Sequence, residues 1–178
     1  MKKKKIYLNK GILFWVTGLS GSGKTTISRK IKKSIEENYG PTLLISGDDI
    51  RNIFNFKKYT YEERRKLVLN YCKLSKFITD QNINLIFSVV GMMDEIRDWN
   101  KKNIKNYIEI FIKAELKKII NNKKKKIYHK KNIRDIVGLD IQPEFPKKPD
   151  IIIHNDFKNK ISSLSKDLIK EINKIIKK

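Results

Sequence analysis

The chain has a single cysteine and no long hydrophobic run, and each scarcity excludes a class of protein. Cys72 is the one cysteine among 178 residues, which excludes an intramolecular disulfide and any zinc site built from several cysteines. No stretch of about 18 apolar residues is present to span a bilayer. A basic start at residues 1–5 precedes an apolar run at 12–17 that is too short for the hydrophobic region of a signal peptide. We therefore expect a cytoplasmic protein that does not bind a membrane.

Arginine, alanine and valine are also scarce, and this composition offers an explanation for the high net positive charge of the chain. The 41 basic residues include only six arginines, and the chain has one alanine and five valines beside 30 isoleucines. Such a composition is typical of an A+T-rich genome, and the lysines are spread along the whole chain. Solvated surface lysines therefore explain the net charge of +22. Two alternatives stay open: binding of a polyanion, and a local basic patch for a small phosphorylated substrate.

Apolar segments with alternating strand and helix patterns predict an α/β fold. Strands are expected at residues 11–17, 42–46, 84–90, 107–112 and 150–153. Helices are expected at residues 24–37, 62–80, 94–103, 115–121 and 161–178. This alternation is typical of βαβ units, which build a parallel five-stranded sheet with helices on both faces. Residues 1–178 are expected to form one domain, in which the lysine-rich segment 123–149 is a basic lid.

A glycine-rich motif follows the first predicted strand. Residues 18–25 (GLSGSGKT) fit the pattern G-x-x-x-x-G-K-[ST] between a strand and a helix, the context that a phosphate-binding loop requires. Its glycines allow backbone N–H groups to surround phosphates, and the N-terminus of the next helix attracts the same anion. The predicted phosphate-binding residues are Gly18, Ser20, Gly21, Ser22, Gly23, Lys24, Thr25 and Thr26. Lys24 is expected to contact the β- and γ-phosphates, and the Thr25 hydroxyl is expected to bind Mg²⁺.

The motif predicts a P-loop NTPase fold that binds a nucleoside triphosphate, and the rest of the chain separates the classes that share this fold. The Asn-Lys-x-Asp motif with which GTPases read guanine is absent, and the chain is shorter than most ATPase motors. A chain under about 200 residues with a basic lid fits a small-molecule kinase, because such enzymes close over their substrates to exclude water. We therefore interpret the chain as an ATP-dependent kinase.

Five segments resemble, in order, the adenylylsulfate kinase family, which phosphorylates the ribose 3′-hydroxyl of adenosine 5′-phosphosulfate. The first is FWVTGLSGSGKTT at residues 14–26. The others are SGDDIR at 46–51, YTYEER at 59–64, KKIYHKK at 125–131 and GLDIQPEFP at 138–146. In the family these segments read DGDN[VI]R, FSEEDR, KGLYKKA and GIDDPYEAP. The resemblance covers most of the chain, from residue 14 to 153.

The resemblance implies that Asp48 and Lys24 form the catalytic pair. Asp48 matches the family carboxylate that contacts the acceptor 3′-hydroxyl, and an attacking alcohol needs a proton acceptor. From the residues alone an alternative stays open, because Asp48 is also a suitable N-cap for a helix that begins near Ile50.

The resemblance also implies an acceptor-binding set. Its matching residues are Arg51, Tyr59, Arg64, Lys125 and Lys130. The two arginines match residues that hold the 5′-phosphate end of the acceptor, the lysines match lid residues near the phosphates, and the tyrosine supplies one aromatic face for the base. Solvated helix charges remain the alternative for Arg64 and Arg65.

The chain departs from the family pattern at four places, three of them on the acceptor side. Ser46 stands at the first aspartate of DGD, and Leu67 stands at an asparagine three residues after the substrate arginine. Ile136, which also belongs to the expected acceptor site, stands at a phenylalanine that stacks on adenine. Residues 90–94 replace a turn that reads ISP[YF]R in the family. Losing a stacking ring costs about 1–3 kcal/mol for nucleic-acid bases, which favours a base smaller than adenine.

A branch of this family phosphorylates the 3′-hydroxyl of cytidine 5′-diphosphoramidate during modification of capsular sugar, and the chain resembles that branch. The preferred hypothesis is therefore a kinase of this type that uses ATP with Mg²⁺. Its expected partners are ATP and a small nucleotide acceptor, without nucleic acid or membrane, and a homodimer stays open. Two alternatives are an adenylylsulfate kinase that makes 3′-phosphoadenylylsulfate for sulfate assimilation, and a non-catalytic nucleotide- or RNA-binding module.

Overall fold

A parallel sheet of five strands, in the order β2-β3-β1-β4-β5, forms the centre of the structure. The structure is a computed structural model, and it describes residues 6–7, 9–56, 60–122 and 135–176. The strands are β1 (Leu13–Thr17), β2 (Thr42–Ser46), β3 (Asn84–Ser88), β4 (Tyr107–Lys113) and β5 (Ile151–His154). The helices are α1 (Lys24–Tyr39), α2 (Gly47–Ile53), α3 (Tyr61–Asp80), α4 (Asp94–Asn103), α5 (Leu116–Asn121) and α6 (Ile161–Ile176).

The central strand β1 is buried along its whole length because helices cover both faces of the sheet. Phe14 and Val16 pack in a core built with α1 and α6. Leu13 and Trp15 point to the opposite face, where α3 and α4 complete a second core. The predicted α/β fold with its parallel five-stranded sheet is confirmed. None of the helices in the described ranges has the length and hydrophobicity needed to cross a bilayer.

Helix α2 begins at Gly47, earlier than the sequence indicated, because Ser46 caps it. The Ser46 hydroxyl accepts a hydrogen bond from the Asp49 N–H at 3.1 Å, and the Asp49 carboxylate accepts one from the Ser46 N–H at 3.2 Å. This reciprocal capping box satisfies the first turn of the helix. The alternative that Asp48 is the N-cap is therefore wrong, since Ser46 performs that role and the Asp48 side chain is left for other contacts.

Cys72 and Glu109 are among the buried titratable groups of the second core. Burial raises the pKa of the Cys72 thiol to about 12, so the thiol stays protonated at neutral pH. Burial also raises the pKa of Glu109 on β4, while Lys101 and Arg97 oppose that shift. The Glu109 carboxylate on β4 lies 3.4 Å from the Nε of Arg97 on α4, and both side chains are buried. Leaving either charge without the other would be costly, so the pair is expected to be structural.

Candidate active site

A cavity of about 380 Å³ opens at the carboxyl ends of the strands. It is lined by the loop after β1 and by residues that follow β2, β3 and β5. Because all five strands are parallel, these segments meet at one edge of the sheet although they are far apart in sequence. The predicted donor residues and several predicted acceptor residues therefore face the same space.

The phosphate loop, residues 18–26, forms one wall of this cavity. Gly21 and Gly23 have φ values of 78° and 97°, a region in which glycine is favoured. The Lys24 side chain is 7% exposed, and its ammonium donates a hydrogen bond to the Leu19 carbonyl at 2.8 Å. The ammonium thus lies over the loop that carries it. Six of the eight predicted phosphate-binding residues line the cavity, namely Ser20, Gly21, Gly23, Lys24, Thr25 and Thr26.

The other two, Gly18 and Ser22, belong to the loop but do not line the cavity. A Cβ on Gly18 would lie 2.5 Å from the carbonyl oxygen of Ile112, so only glycine fits there. The Ser22 hydroxyl is buried and has no hydrogen-bond partner among the residues that the structure describes. Both residues thus support the loop without lining the cavity.

Helix α1 starts without a capping side chain, in contrast to α2. Its N-cap residue, Gly23, supplies no side-chain hydrogen bond, and its first turn contains no acidic residue. The first N–H groups of a helix lack carbonyl partners within the helix and carry its positive dipole end. An anion such as a triphosphate therefore fits this end of α1, where the backbone also curves around the cavity.

Thr25 and Ser88 form a hydroxyl pair beside the loop. Their oxygens lie 3.1 Å apart, and Ser88, at the end of β3, is 3% exposed. If the Thr25 hydroxyl donates this hydrogen bond to Ser88, the lone pairs of the Thr25 oxygen stay available to a cation. Hydroxyl and phosphate oxygens are the hard ligands that Mg²⁺ prefers, so the residues present fit a metal bound with a triphosphate.

Asp48 and Arg51 enter the cavity from α2. Their side chains form an ion pair one helical turn apart, and the Asp48 carboxylate remains about half exposed, at 56%. Arg64, from the first turn of α3, also lines the cavity, and its Nη2 donates to the Asp135 carbonyl at 2.7 Å. Two guanidinium groups and one carboxylate therefore face the cavity.

Arg65 points away from the cavity, unlike its neighbour in sequence. Its Nε and Nη2 donate to both oxygens of Glu95 at 2.6 and 2.7 Å. These bonds raise the pKa of Arg65 and lower the pKa of Glu95. The alternative of a surface helix charge therefore applies to Arg65, and Arg64 is the arginine that meets the cavity.

Ile136 is buried in the cavity wall beside Val137, with 5% exposure. The structure thus places Ile136, which stands at a family phenylalanine, in the wall of the cavity that Asp48, Arg51 and Arg64 also line. Three other predicted acceptor residues, Tyr59, Lys125 and Lys130, lie outside the described residues.

Eight residues that line the cavity were not predicted as site residues from the sequence: Gly47, Ser88, Val89, Val90, Val137, Asn155, Phe157 and Ile161. Ser88 ends β3, and Asn155 comes directly after β5. Polar residues at the carboxyl ends of buried parallel strands are a signal that could have identified these two. Phe157 and Ile161 carry no such signal, because nothing local separates them from ordinary loop and helix residues.

Comparison with known proteins finds relatives of this chain among kinases. The family model for adenylylsulphate kinase matches residues 10–154. The chain is 33% identical over 167 residues to the cytidine diphosphoramidate kinase of Campylobacter jejuni, covering 92% of this chain and 98% of that one. It is 30% identical over 156 residues to an adenylyl-sulfate kinase of Clostridium kluyveri, covering 85% and 78% respectively.

A solved structure shares the fold. The APS kinase CysC of Mycobacterium tuberculosis, in complex with AMPPNP and APS, superposes with a TM-score of 0.81 at 20% identity. The match covers 92% of this chain and 98% of that one. The likeness extends over nearly the whole of both chains.

Proposed function

The chain belongs to the adenylylsulphate kinase family, and from this premise we propose that it transfers the γ-phosphoryl group of ATP to the 3′-hydroxyl of cytidine 5′-diphosphoramidate. The family consists of ATP-dependent phosphotransferases, so the chain is a kinase that uses ATP with a divalent metal ion. That membership favours a kinase over a non-catalytic nucleotide- or RNA-binding module. The reaction draws on ATP, which is why we propose the cytoplasm as its compartment.

The observation that carries the proposal is that one cavity is lined both by the phosphate loop and by a carboxylate. Lys24 and Asp48 both line it. Phosphoryl transfer requires the donor phosphate and the acceptor hydroxyl to meet in line, with charge stabilisation on the phosphoryl oxygens. A single cavity with both kinds of group suits this requirement.

On the donor side, the N–H groups of residues 20–26 would hold the β- and γ-phosphates, and the Lys24 ammonium would stabilise their charge. The Thr25 hydroxyl would bind Mg²⁺ through its oxygen while it donates a hydrogen bond to Ser88. The metal supplies charge neutralisation on the phosphate oxygens when bound. The buried position of Lys24 and Ser88 supports these roles, because charges act more strongly where water is excluded.

On the acceptor side, Asp48 would accept the proton of the 3′-hydroxyl as its oxygen attacks the γ-phosphorus. The bond between the γ-phosphorus and the β–γ bridging oxygen breaks, and ADP leaves. Arg51 is paired with Asp48 and orients its carboxylate. Arg64 would bind the phosphate end of the acceptor with its planar guanidinium.

The identity of the acceptor base rests on Ile136 and on the relative from Campylobacter jejuni. An isoleucine in the wall offers no ring on which a purine could stack, whereas a pyrimidine needs less stacking area. The chain also matches nearly the full length of that relative, which is described as a cytidine diphosphoramidate kinase. By analogy we propose that the product serves modification of capsular sugar.

Adenylylsulfate kinase activity is the second candidate. It is favoured by the family model and by the 30% identity to the Clostridium kluyveri enzyme. The two candidates share the donor chemistry and the 3′-hydroxyl acceptor, and they differ in the base and the distal group. Side-by-side kinetics therefore separate them.

We expect the wild-type enzyme to have a higher kcat/KM for cytidine 5′-diphosphoramidate than for adenosine 5′-phosphosulfate. Replacing Ile136 with phenylalanine should shift this ratio toward the adenosine compound by roughly tenfold, since stacking is worth about 1–3 kcal/mol per base. Ile136→Leu, which keeps the size but adds no ring, is the matched control. Both acceptors are assayed with ATP and Mg²⁺, and the product is identified by mass. A wild-type preference for the adenosine compound would refute the cytidine proposal and leave the kinase assignment intact.

We also propose that residues 1–178 form one domain whose segment 123–149 closes over both substrates. Part of this segment lines the cavity through Ile136 and Val137. Gly138 packs on the phosphate loop, because a Cβ there would lie 3.0 Å from the Leu19 side chain. Closure of such a segment excludes water from the transferring phosphoryl group.

Closure predicts slower hydrogen exchange in peptides from residues 123–141 when a non-hydrolysable ATP analogue and the acceptor are both bound. Peptides from residues 164–176 of α6 should exchange equally in the free and the bound enzyme, since this part of the helix packs in the core and does not line the cavity. Mass spectrometry follows both sets in one experiment. Unchanged exchange across 123–141 would contradict the lid.

A further inference from the structure

Asn155 is a buried side chain beside the phosphate loop, and both polar atoms of its amide, Nδ2 and Oδ1, form hydrogen bonds. It comes directly after β5, is 2% exposed and lines the cavity. Its Nδ2 donates to the Ser22 carbonyl at 2.9 Å, and its Oδ1 accepts from the Phe157 N–H at 3.0 Å. One partner is a carbonyl and the other an N–H, so the orientation of the amide is fixed by its surroundings.

The bond to Ser22 fixes the direction of the next N–H group. The peptide that joins Ser22 to Gly23 is trans, so its carbonyl and its N–H point in opposite directions. With the carbonyl held toward Asn155, the Gly23 N–H is turned away from Asn155. Gly23 lines the cavity, and its N–H belongs to the loop that surrounds the phosphates in the proposed function.

The contact between Asn155 and Gly23 is close. A Cβ on Gly23 would lie 2.8 Å from Asn155 Nδ2. Asn155 is in turn held by its own N–H, which donates to the Lys113 carbonyl at the end of β4 at 2.8 Å. The amide therefore connects the sheet edge to one peptide of the phosphate loop.

We propose that Asn155 is a positioning residue for the donor nucleotide: it fixes the peptide between Ser22 and Gly23 so that the Gly23 N–H faces the phosphates. This inference rests on the proposed role of residues 18–26 in binding ATP. Without the amide, the peptide can rotate and turn a carbonyl oxygen toward the phosphates, which replaces an attraction by a repulsion. The effect falls on nucleotide binding and does not involve the acceptor.

The test compares Asn155→Ala with Asn106→Ala. Asn106 is 1% exposed and bonds backbone groups of Tyr7 and Lys10 through the same two amide atoms, but it precedes β4 at the opposite edge of the sheet. Both variants lose buried hydrogen bonds, so both should unfold at a lower temperature. Only Asn155→Ala should weaken ADP binding, by about tenfold, because only its amide aligns a phosphate-binding peptide.

Calorimetry with ADP and Mg²⁺ measures the Kd, and steady-state kinetics measure the two KM values. The expected result is a raised KM for ATP and an unchanged KM for the acceptor at saturating ATP. In ¹⁵N spectra, the shift of the Gly23 amide on ADP binding should be large in the wild type and much smaller in Asn155→Ala. Asn155→Ser, which keeps a shorter donor, is measured in parallel and should give an intermediate Kd, so the test does not depend on the folding of one variant.

A Kd for ADP within twofold of the wild type in both Asn155 variants would overturn the inference. Equal weakening in Asn106→Ala would overturn it as well, since the effect would then follow stability alone. If the wild type itself bound no ADP, the proposed role of the phosphate loop would fail. ADP binding by the wild type and equally by the Asn155 variants would refute only the positioning role.

Discussion

Replacing Lys24 with alanine is expected to lower kcat for phosphoryl transfer by about 10³-fold or more. Lys24 is the only lysine in residues 18–26, and its ammonium lies over the loop within the cavity. Negative charge on the phosphoryl oxygens is stabilised by this ammonium during transfer. No other cation of the loop can replace it. Release of ADP in a coupled assay measures the loss.

The control for this variant is Lys33→Ala on the same helix. The Lys33 side chain is 87% exposed and pairs with Glu37 at 3.7 Å, so its removal should leave kcat unchanged. Thermal unfolding of both variants shows that the fold is retained. Activity of Lys24→Ala within tenfold of the wild type would contradict the assignment of residues 18–26 as the donor site.

Replacing Asp48 with asparagine is expected to lower kcat by roughly 10²–10⁴-fold, the usual range for a general base. The acceptor KM should change much less, because asparagine can still hydrogen-bond the hydroxyl. Asp48 is not the cap of α2, since Ser46 performs that role, so the substitution leaves the start of the helix intact. The loss should therefore appear in the chemical step and not in the stability of the enzyme.

Arg64→Ala provides the contrast. Arg64 faces the cavity from α3 and would hold the end of the acceptor that does not react. Its loss should raise the acceptor KM. Some loss of kcat should accompany it if the contact with Arg64 also aligns the 3′-hydroxyl of the acceptor. Full kcat in Asp48→Asn would show that Asp48 is not the base. An equal loss of kcat in both variants, with both KM values unchanged, would remove the distinction between base and binding residue.

The fold could be predicted from the sequence because its signals are local. A parallel strand covered on both faces is a continuous apolar run, as in β1, and a helix on the sheet repeats its apolar residues every three or four positions, as Ile27, Ile31 and Ile35 do in α1. The predicted start of α2 near Ile50 is wrong because Ser46, which stands at a family aspartate, is the N-cap of the helix. The capping box that Ser46 forms with Asp49 is itself a local signal.

The sequence by itself determined the phosphate loop, since eight consecutive residues carry its glycines, lysine and threonine between a strand and a helix. It also indicated Asp48, Arg51 and Arg64 through the family resemblance. Only the tertiary structure showed that Arg65 pairs with Glu95 and that Asn155 holds a peptide of the loop. Asn155 and Ser22 are 133 residues apart, and their contact exists because parallel strands end at one edge of the sheet. No local pattern encodes such a contact, since the three-dimensional packing of the sheet creates it.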